Sequence, residues 1–214
     1  MHLQYSIKIK NISNNCSSSG FSLPEILVTI VAIGILIALA LPNWQSFMEV
    51  RRLTAAQEEI YQSLKQAQNQ AAKEKVTWQT SFRQNNNIVQ WTVHKAEQGQ
   101  FIPVSVMNND KVWYEFHPNI RIDLNKNNKD KYETTLPKHS SQQVWRVLFN
   151  YQGCPIYEVG DECTDTSLRT LGQITLYSHN SGKVRRCVYV STIIGAVKMG
   201  KEHSRANEKD KYCY

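Results

Sequence analysis

Residues 20–42 read GFSLPEILVTIVAIGILIALALP. From Ile26 to Leu41 only Thr29 is polar. At about 1.5 Å per residue, a helix over Phe21–Leu41 would be about 31 Å long, close to the apolar thickness of a bilayer. Two lysines precede this segment. Because basic residues stay on the cytoplasmic side, the C-terminal part of the chain is predicted to be exported.

Three kinds of N-terminal segment share this apolar pattern. They are a plain signal anchor, a secretory signal peptide cut at Ala38-Leu39-Ala40, and a precursor whose leader ends before the helix. Glu25 separates them, because a carboxylate in an apolar helix costs roughly 2.5–3.5 kcal/mol near a bilayer centre and less near the interface. A signal peptide or a bare anchor has no use for that charge, which needs a cationic partner. Glu25 therefore favours the third interpretation.

The motif Gly20-Phe21-Ser22-Leu23-Pro24-Glu25, followed by an apolar run, resembles the processing motif of type IV prepilins and type II secretion pseudopilins. The resemblance implies that a prepilin peptidase cuts after Gly20 and N-methylates Phe21. It also implies that Glu25 meets the N-terminal ammonium of a neighbouring subunit during assembly. Such a pair is physically sensible, since each charge is costly alone in apolar surroundings and much less so when paired.

Apolar residues recur at helical spacing from Trp44 to about Lys75, so this segment is predicted to be an amphipathic helix. The chain then divides into a leader (1–20), an apolar helix (21–43), the amphipathic helix (44–75) and an exported β-rich domain (76–214). The stripe expected to face a sheet is Phe47, Val50, Leu53, Ile60, Leu64, Ala67 and Ala71. The charges expected on the other faces are Glu49, Arg51, Arg52, Glu58, Glu59, Lys65, Lys73 and Glu74.

The pattern changes to alternation after the helix, which predicts strands. Val76, Trp78 and Phe82 precede a turn at Asn85-Asn86-Asn87, and Val89, Trp91 and Val93 follow it, as in a hairpin. Asn125–Ser141 is predicted to be a surface loop and Ser178–Lys183 a turn. Further strands are predicted at Lys111–Phe116, Ile120–Leu124, Val144–Asn150, Gln173–Ser178, Val184–Ser191 and Gly195–Met199. A long helix followed by strands predicts an α+β fold, with the helix packed on an antiparallel sheet.

This order of elements, with the turn Ser181-Gly182-Lys183-Val184-Arg185-Arg186-Cys187, resembles the FimT/FimU/GspH group of minor pilins and pseudopilins. The C-terminal resemblance covers about residues 172–200. Residues 95–170 match no pattern of that group and are interpreted as a family-variable insertion.

The cysteines indicate an oxidising compartment. Cys16 lies in the predicted leader, and the other four lie in the exported part. Four cysteines allow three pairings. Cys154–Cys163, which closes a short loop, and Cys187–Cys213, which would staple the C-terminal tail, are favoured over free buried thiols.

The chain is basic, with a formal net charge of +7. Such an excess is compatible with DNA or lipid headgroups but specifies neither. Some FimT-like minor pilins are DNA receptors through a C-terminal G-R-x-R motif, and the aligned residues here are Gly195-Ala196-Val197-Lys198, which retain one cation. The candidate DNA-binding residues are Lys183, Arg185, Arg186 and Lys198. The alternative is that these cations solvate an exposed hairpin and tail.

No catalytic constellation is evident. The six histidines show no metal-binding helical spacing, and neither a G-x-S-x-G elbow nor a phosphate-binding glycine loop occurs. Asp161, Glu162 and Asp165 cluster, but their spacing fits no known calcium loop, and a solvated acidic turn is favoured. The chain is therefore predicted not to be an enzyme and to carry neither metal nor cofactor.

The resemblance implies a structural function. The mature chain is expected to be a minor type IV pilin that helps to initiate assembly, sits at the filament tip and supports twitching motility and DNA uptake. The alternatives are a DNA receptor for natural transformation and a type II secretion pseudopilin. Expected partners are other minor and major pilins, the prepilin peptidase and, as a candidate, DNA. The expected location is the inner membrane of a Gram-negative bacterium, with a periplasmic C-terminal domain, and later the filament.

Overall fold

A computed structural model describes residues 20–165, 170–179, 184–191 and 195–214. The chain divides after Asn43 into two compact units. Helix α1, Leu23–Glu74, begins in the first unit and ends in the second. In the first unit, the large apolar side chains between Phe21 and Leu39 are exposed. The predicted leader, apart from Gly20, lies outside the described residues.

The membrane-span prediction concerns this first unit. Within the described residues, no single helix is both long and apolar enough to qualify as a span, whereas Leu23–Leu39 and Trp44–Glu74 qualify as a pair, on length and composition alone.

The second unit is built from two antiparallel sheets. The strands are β1 (Trp78–Asn85), β2 (Ile88–Lys95), β3 (Tyr114–Glu115), β4 (Ile120–Ile122), β5 (Val144–Phe149), β6 (Pro155–Ile156), β7 (Thr170–Ser178), β8 (Arg185–Ser191) and β9 (Val197–Lys201), and a short helix α2 covers Val104–Met107. Within the described residues, the strand orders of the two sheets are β3-β2-β1-β5-β6 and β4-β7-β8-β9. The predicted α+β class, with the helix packed on antiparallel sheets, is confirmed.

One face of α1 forms the core with both sheets. Leu53, Ile60, Leu64, Ala67 and Ala71 are fully buried, as their spacing predicts. They share one hydrophobic cluster with residues of both sheets, among them Phe82, Trp145, Ile174 and Val188. The stripe explains why the helix forms here, because burial of such an amphipathic face supplies most of a helix's stability in a folded domain.

For two residues of α1 the predicted burial or exposure of the side chain is wrong. Phe47 belongs to the predicted core stripe, yet its side chain is half exposed, with the Arg51 guanidinium 5.1 Å from its ring centre. Glu49 belongs to the predicted outer face, yet only 7% of it is exposed. The physical reason is that side chains of the second sheet and of the turn before β4 supply hydrogen-bond donors to the Glu49 carboxylate.

The β1–β2 hairpin is confirmed. Asn86 and Asn87 both have positive φ, as a two-residue hairpin turn requires and as asparagine tolerates. The polar face of β1 is also buried, which the alternation did not predict. Gln79, Ser81 and Arg83 are all buried. Gln79 and Arg83 donate hydrogen bonds to carbonyls of the segment that follows β2, and Arg83 also forms an ion pair with Asp110 there. Ser81 accepts a hydrogen bond from Gln79.

The insertion departs most from prediction. Where a strand was expected at Lys111–Phe116, a 3-10 helix covers Asp110–Val112 and only Tyr114–Glu115 is strand, since the Asn109 side chain accepts the Lys111 amide and starts a turn. The expected surface loop Asn125–Ser141 contains the buried residues Glu133 and Leu136. The other strands match their predictions within a few residues. Of the turn predicted at Ser178–Lys183, residues 180–183 lie outside the described residues.

Both favoured disulfides are present. Cys154–Cys163 and Cys187–Cys213 have sulfur atoms at bonding distance. The first closes the loop that contains β6. The second fixes the C-terminal tail to β8.

Candidate functional sites

Glu25 lies in the first turn of α1. The carbonyl of Ser22 accepts the amides of Glu25 and Ile26, so the helix begins there. The spacing of Ser22 and Glu25 would allow a capping box, in which the glutamate accepts the Ser22 amide. Among the described residues, the Glu25 carboxylate has no hydrogen-bond or ion-pair partner, and it is exposed next to exposed Leu23 and Ile26. The carboxylate is therefore available to a partner outside the described chain.

Glu49 joins α1 to the second sheet. Its carboxylate accepts hydrogen bonds from Ser178 Oγ on β7, from Asn119 Nδ2 at 3.0 Å and from Arg52 Nη1 at 2.7 Å. Burial by itself raises the pKa of Glu49, but these hydrogen bonds and the positive charge of Arg52 outweigh it and lower the pKa. The Glu49 carboxylate is therefore ionised, and its role is to hold α1 against the second sheet. Helical periodicity could not reveal it, because a charged residue is normally assigned to solvent.

The described members of the candidate cationic set, Arg185, Arg186 and Lys198, do not share one face of the second sheet. Arg185 donates to Asp123 at 2.6 Å and to Glu202 at 2.7 Å, so its charge is balanced within the fold. Arg186 lies on the opposite face of β8, because neighbouring side chains in a strand point to opposite faces. Lys198 is exposed on β9, opposite Tyr189. Lys183 lies outside the described residues.

Gly195 is the first of the four residues that align with the G-R-x-R motif. Its role in this structure is in packing. Its φ is +60°, and a Cβ built there would lie 2.2 Å from the carbonyl oxygen of Gly153. The Gln68 side chain on α1 donates to the carbonyls of both glycines, at 2.8 and 3.0 Å. Gly195 thus permits a close three-way contact between the helix, the β5–β6 turn and the loop before β9.

The C-terminal tail is held by a buried carboxylate. Glu133, only 1% exposed, accepts hydrogen bonds from the amide of Tyr212 at 2.9 Å and from Asn127 Nδ2 at 2.7 Å. The disulfide at Cys213 secures the same segment. Sequence reasoning missed Glu133, because it sits in a polar stretch that reads as a surface loop.

His94 contacts a serine, an arrangement that also occurs in hydrolases. Ser81 Oγ lies 3.0 Å from His94 Nε2, and His94 Nδ1 lies 2.8 Å from the Lys95 carbonyl oxygen and donates to it. Burial lowers the pKa of His94, against the opposing effect of the Lys95 hydrogen bond. Ser81 is fully buried, so a substrate cannot reach its hydroxyl. The pair therefore belongs to the polar packing behind the first sheet.

No group of three or more His, Cys, Asp or Glu side chains that could hold a metal ion occurs among the described residues. In the acidic turn after β6, Asp161 accepts the amide of Glu158 at 2.9 Å, as a turn carboxylate does.

Comparison with models of known protein families, with curated proteins and with solved structures found no match.

Proposed function

We propose that the chain is a minor subunit of a type IV pilus-type filament, where it sits at the tip and helps to initiate assembly. One observation carries the proposal. The N-terminal part of α1 exposes large apolar side chains together with the unpartnered carboxylate of Glu25, while one face of the same helix between Leu53 and Ala71 belongs to the core of a folded domain.

An apolar surface of this extent needs a cover, since soluble monomers rarely expose large contiguous apolar patches. In the proposal, lipid covers it in the precursor and neighbouring helices cover it in the filament. Cleavage after Gly20 creates an ammonium group at Phe21. Glu25 of one subunit then pairs with the ammonium of the next, which offsets the cost of each charge in apolar surroundings and sets the register of the helices.

The DNA-receptor alternative is less well supported. Two of its candidate cations are arginines on β8, of which Arg185 is already balanced by Asp123 and Glu202. A phosphate would have to displace those carboxylates from their contacts. The pseudopilin alternative shares every feature used here, so only the cellular test separates it from the pilus.

The test is a deletion strain complemented with wild type, Glu25→Ala or Glu58→Ala, scored for surface filaments and for incorporation of the chain. Glu58 is the matched control, because it is an exposed carboxylate on the outer face of α1. We expect Glu25→Ala to lose or strongly reduce incorporation and Glu58→Ala to retain it. Unchanged incorporation of Glu25→Ala would refute the proposal. Intact filaments with defective protein secretion would assign the chain to a secretion pseudopilus. Intact filaments with failed DNA uptake would favour the DNA-receptor alternative.

A further inference from the structure

An exposed aromatic patch lies at the start of the second unit. Trp44, the first residue of that unit, is 62% exposed, and Phe47 is 50% exposed. Their ring centres lie 6.2 Å apart, because residues three positions apart share one face of a helix. Two large aromatic rings thus lie side by side on the surface, where they are free to contact a partner outside the chain.

Arg51 adds a cation to the patch. Its side chain is exposed, and its guanidinium lies 5.1 Å from the centre of the Phe47 ring. No carboxylate among the described residues forms an ion pair with Arg51, whereas the neighbouring Arg52 is paired with Glu49 at 2.7 Å. The charge of Arg51 is therefore available to an anionic group that lies beside the aromatic rings.

The patch extends along α1 for about one turn. On the same face, the exposed residues that follow at helical spacing are Thr54, Glu58 and Gln62, all of them polar. Among the described residues, the next exposed large apolar side chain after Phe47 is Val76, which lies beyond the end of the helix. Two helices that pack side by side need an apolar stripe that continues over several turns. The patch therefore does not suit a seam with the helix of a second copy.

The order of residues along the chain instead matches the layers of a membrane surface. The apolar run, which the proposed function places in lipid, ends at Leu41, three residues before Trp44. A helix that begins at Phe21 has by then covered the apolar thickness of a bilayer, about 30 Å. Tryptophan is enriched where the hydrocarbon meets the headgroups, and an arginine there reaches the polar layer while its stem stays in apolar surroundings.

We propose that Trp44, Phe47 and Arg51 lie in the headgroup layer on the exported side of the membrane. The two rings contact the carbonyl end of the acyl chains, and the Arg51 guanidinium binds phospholipid phosphates. This inference rests on the proposed function, since it requires the preceding apolar segment to cross the bilayer. It adds that the first helical turn of the folded domain itself binds lipid, so the domain starts at the membrane surface without a spacer.

The test measures tryptophan quenching in the full chain, reconstituted in vesicles of phosphatidylcholine and phosphatidylglycerol. The lipids carry bromine either at the carbonyl end or at the methyl end of their acyl chains. We expect bromine at the carbonyl end to quench more strongly, and we expect Trp44→Phe to lose this difference. Trp91→Phe is the matched control and should retain the difference, because Trp91 is also partly exposed but lies on β2.

Arg51→Glu tests the contact with phosphate. A carboxylate at this position is repelled by the phosphates, so quenching by bromine at the carbonyl end should fall. Lys73→Glu makes the same change of charge in the last turn of α1 and should leave the quenching unchanged. Unchanged quenching in Arg51→Glu would contradict the contact assigned to Arg51.

Flotation of the vesicles separates failure of this inference from failure of the proposed function. A chain that floats with the vesicles, but whose Trp44 is not quenched by bromine at the carbonyl end, would overturn the inference alone. If protection of Trp44 from acrylamide then rises with the ratio of protein to lipid, the patch packs on a second copy instead. A chain that does not float would contradict the membrane stage of the proposed function, and this inference with it.

Discussion

At the scale of single residues, Gly195 shows how a motif position can be explained by packing. An alanine there would combine a left-handed backbone with a Cβ 2.2 Å from the Gly153 carbonyl oxygen and 2.4 Å from Gln68 Nε2. If the Gly153 carbonyl or the Gln68 side-chain amide moved to make room, the hydrogen bond between α1 and the β5–β6 turn would be lost. The glycine is therefore required by geometry, whatever the neighbouring lysine binds.

We expect Gly195→Ala to lower the free energy of unfolding by about 3 kcal/mol or more, the sum of backbone strain and overpacking. Gly99→Ala is the matched control, because Gly99 has φ of +76° but a Cβ added there would meet no neighbouring atom within 4 Å. That variant should lose only about 1 kcal/mol, from strain alone. Denaturant titration of both variants measures the difference, and equal losses would contradict the packing explanation.

Glu49 gives a second prediction at this scale. Glu49→Ala leaves the buried Ser178 hydroxyl and the half-buried Asn119 amide without their acceptor, so we expect a loss of about 3 kcal/mol in the free energy of unfolding at neutral pH. The exposed Glu58→Ala should stay within about 0.5 kcal/mol of wild type.

The loss should depend on pH. Because the pKa of Glu49 is lowered in the folded state, its contribution is present above the ordinary value of 4.5 and is lost as the pH falls through the folded pKa. The difference between wild type and Glu49→Ala should therefore shrink in acid. Denaturant titrations at neutral and acidic pH test this, and a difference that does not change with pH would show that the carboxylate's charge plays no part.

At the scale of elements, the sequence predicts those helices, strands and turns that depend on hydrophobic periodicity or on local turn residues. The helix stripe, the Asn86-Asn87 hairpin and both disulfides were predicted because each depends on local spacing or on a small number of pairings. Glu49 and Glu133 were not, because the donors that make their burial favourable come from strands and tails far away in the chain. The polar face of β1 was missed for the same reason, since the segment that covers it has no regular pattern.

The two disulfides allow a prediction about elements. In the chain-entropy description, a crosslink stabilises more when it closes a longer loop. The sequence separations are 26 for Cys187–Cys213 and 9 for Cys154–Cys163. Replacing both cysteines of a pair with serine should therefore cost about 3.5 kcal/mol for the first and about 2.6 kcal/mol for the second. Thermal unfolding of the two double variants checks the order, and a larger loss from the shorter loop would contradict it.

At the scale of the whole molecule, the candidate sites differ in how far the sequence reveals them. Glu25 was found directly, because a charge inside an apolar run has few explanations. The cationic candidates were predicted from the cluster of charges near the C-terminus and from the resemblance to the G-R-x-R motif, and the structure places the described pair Arg185 and Arg186 on opposite faces of β8, with Arg185 in ion pairs. Residues 127–132 and 207–212 share the sequence N-x-K-D-K-Y, which a search for short internal repeats would have found.

The central claim is that the chain is processed after Gly20 and built into a filament. The most direct measurement is mass spectrometry of the N-terminal peptide of this chain in filaments sheared from cells. Our account predicts a peptide that begins at Phe21 and carries one N-methyl group. A chain absent from the filament fraction, or one whose N-terminus lies elsewhere, for example after Ala40, would contradict it.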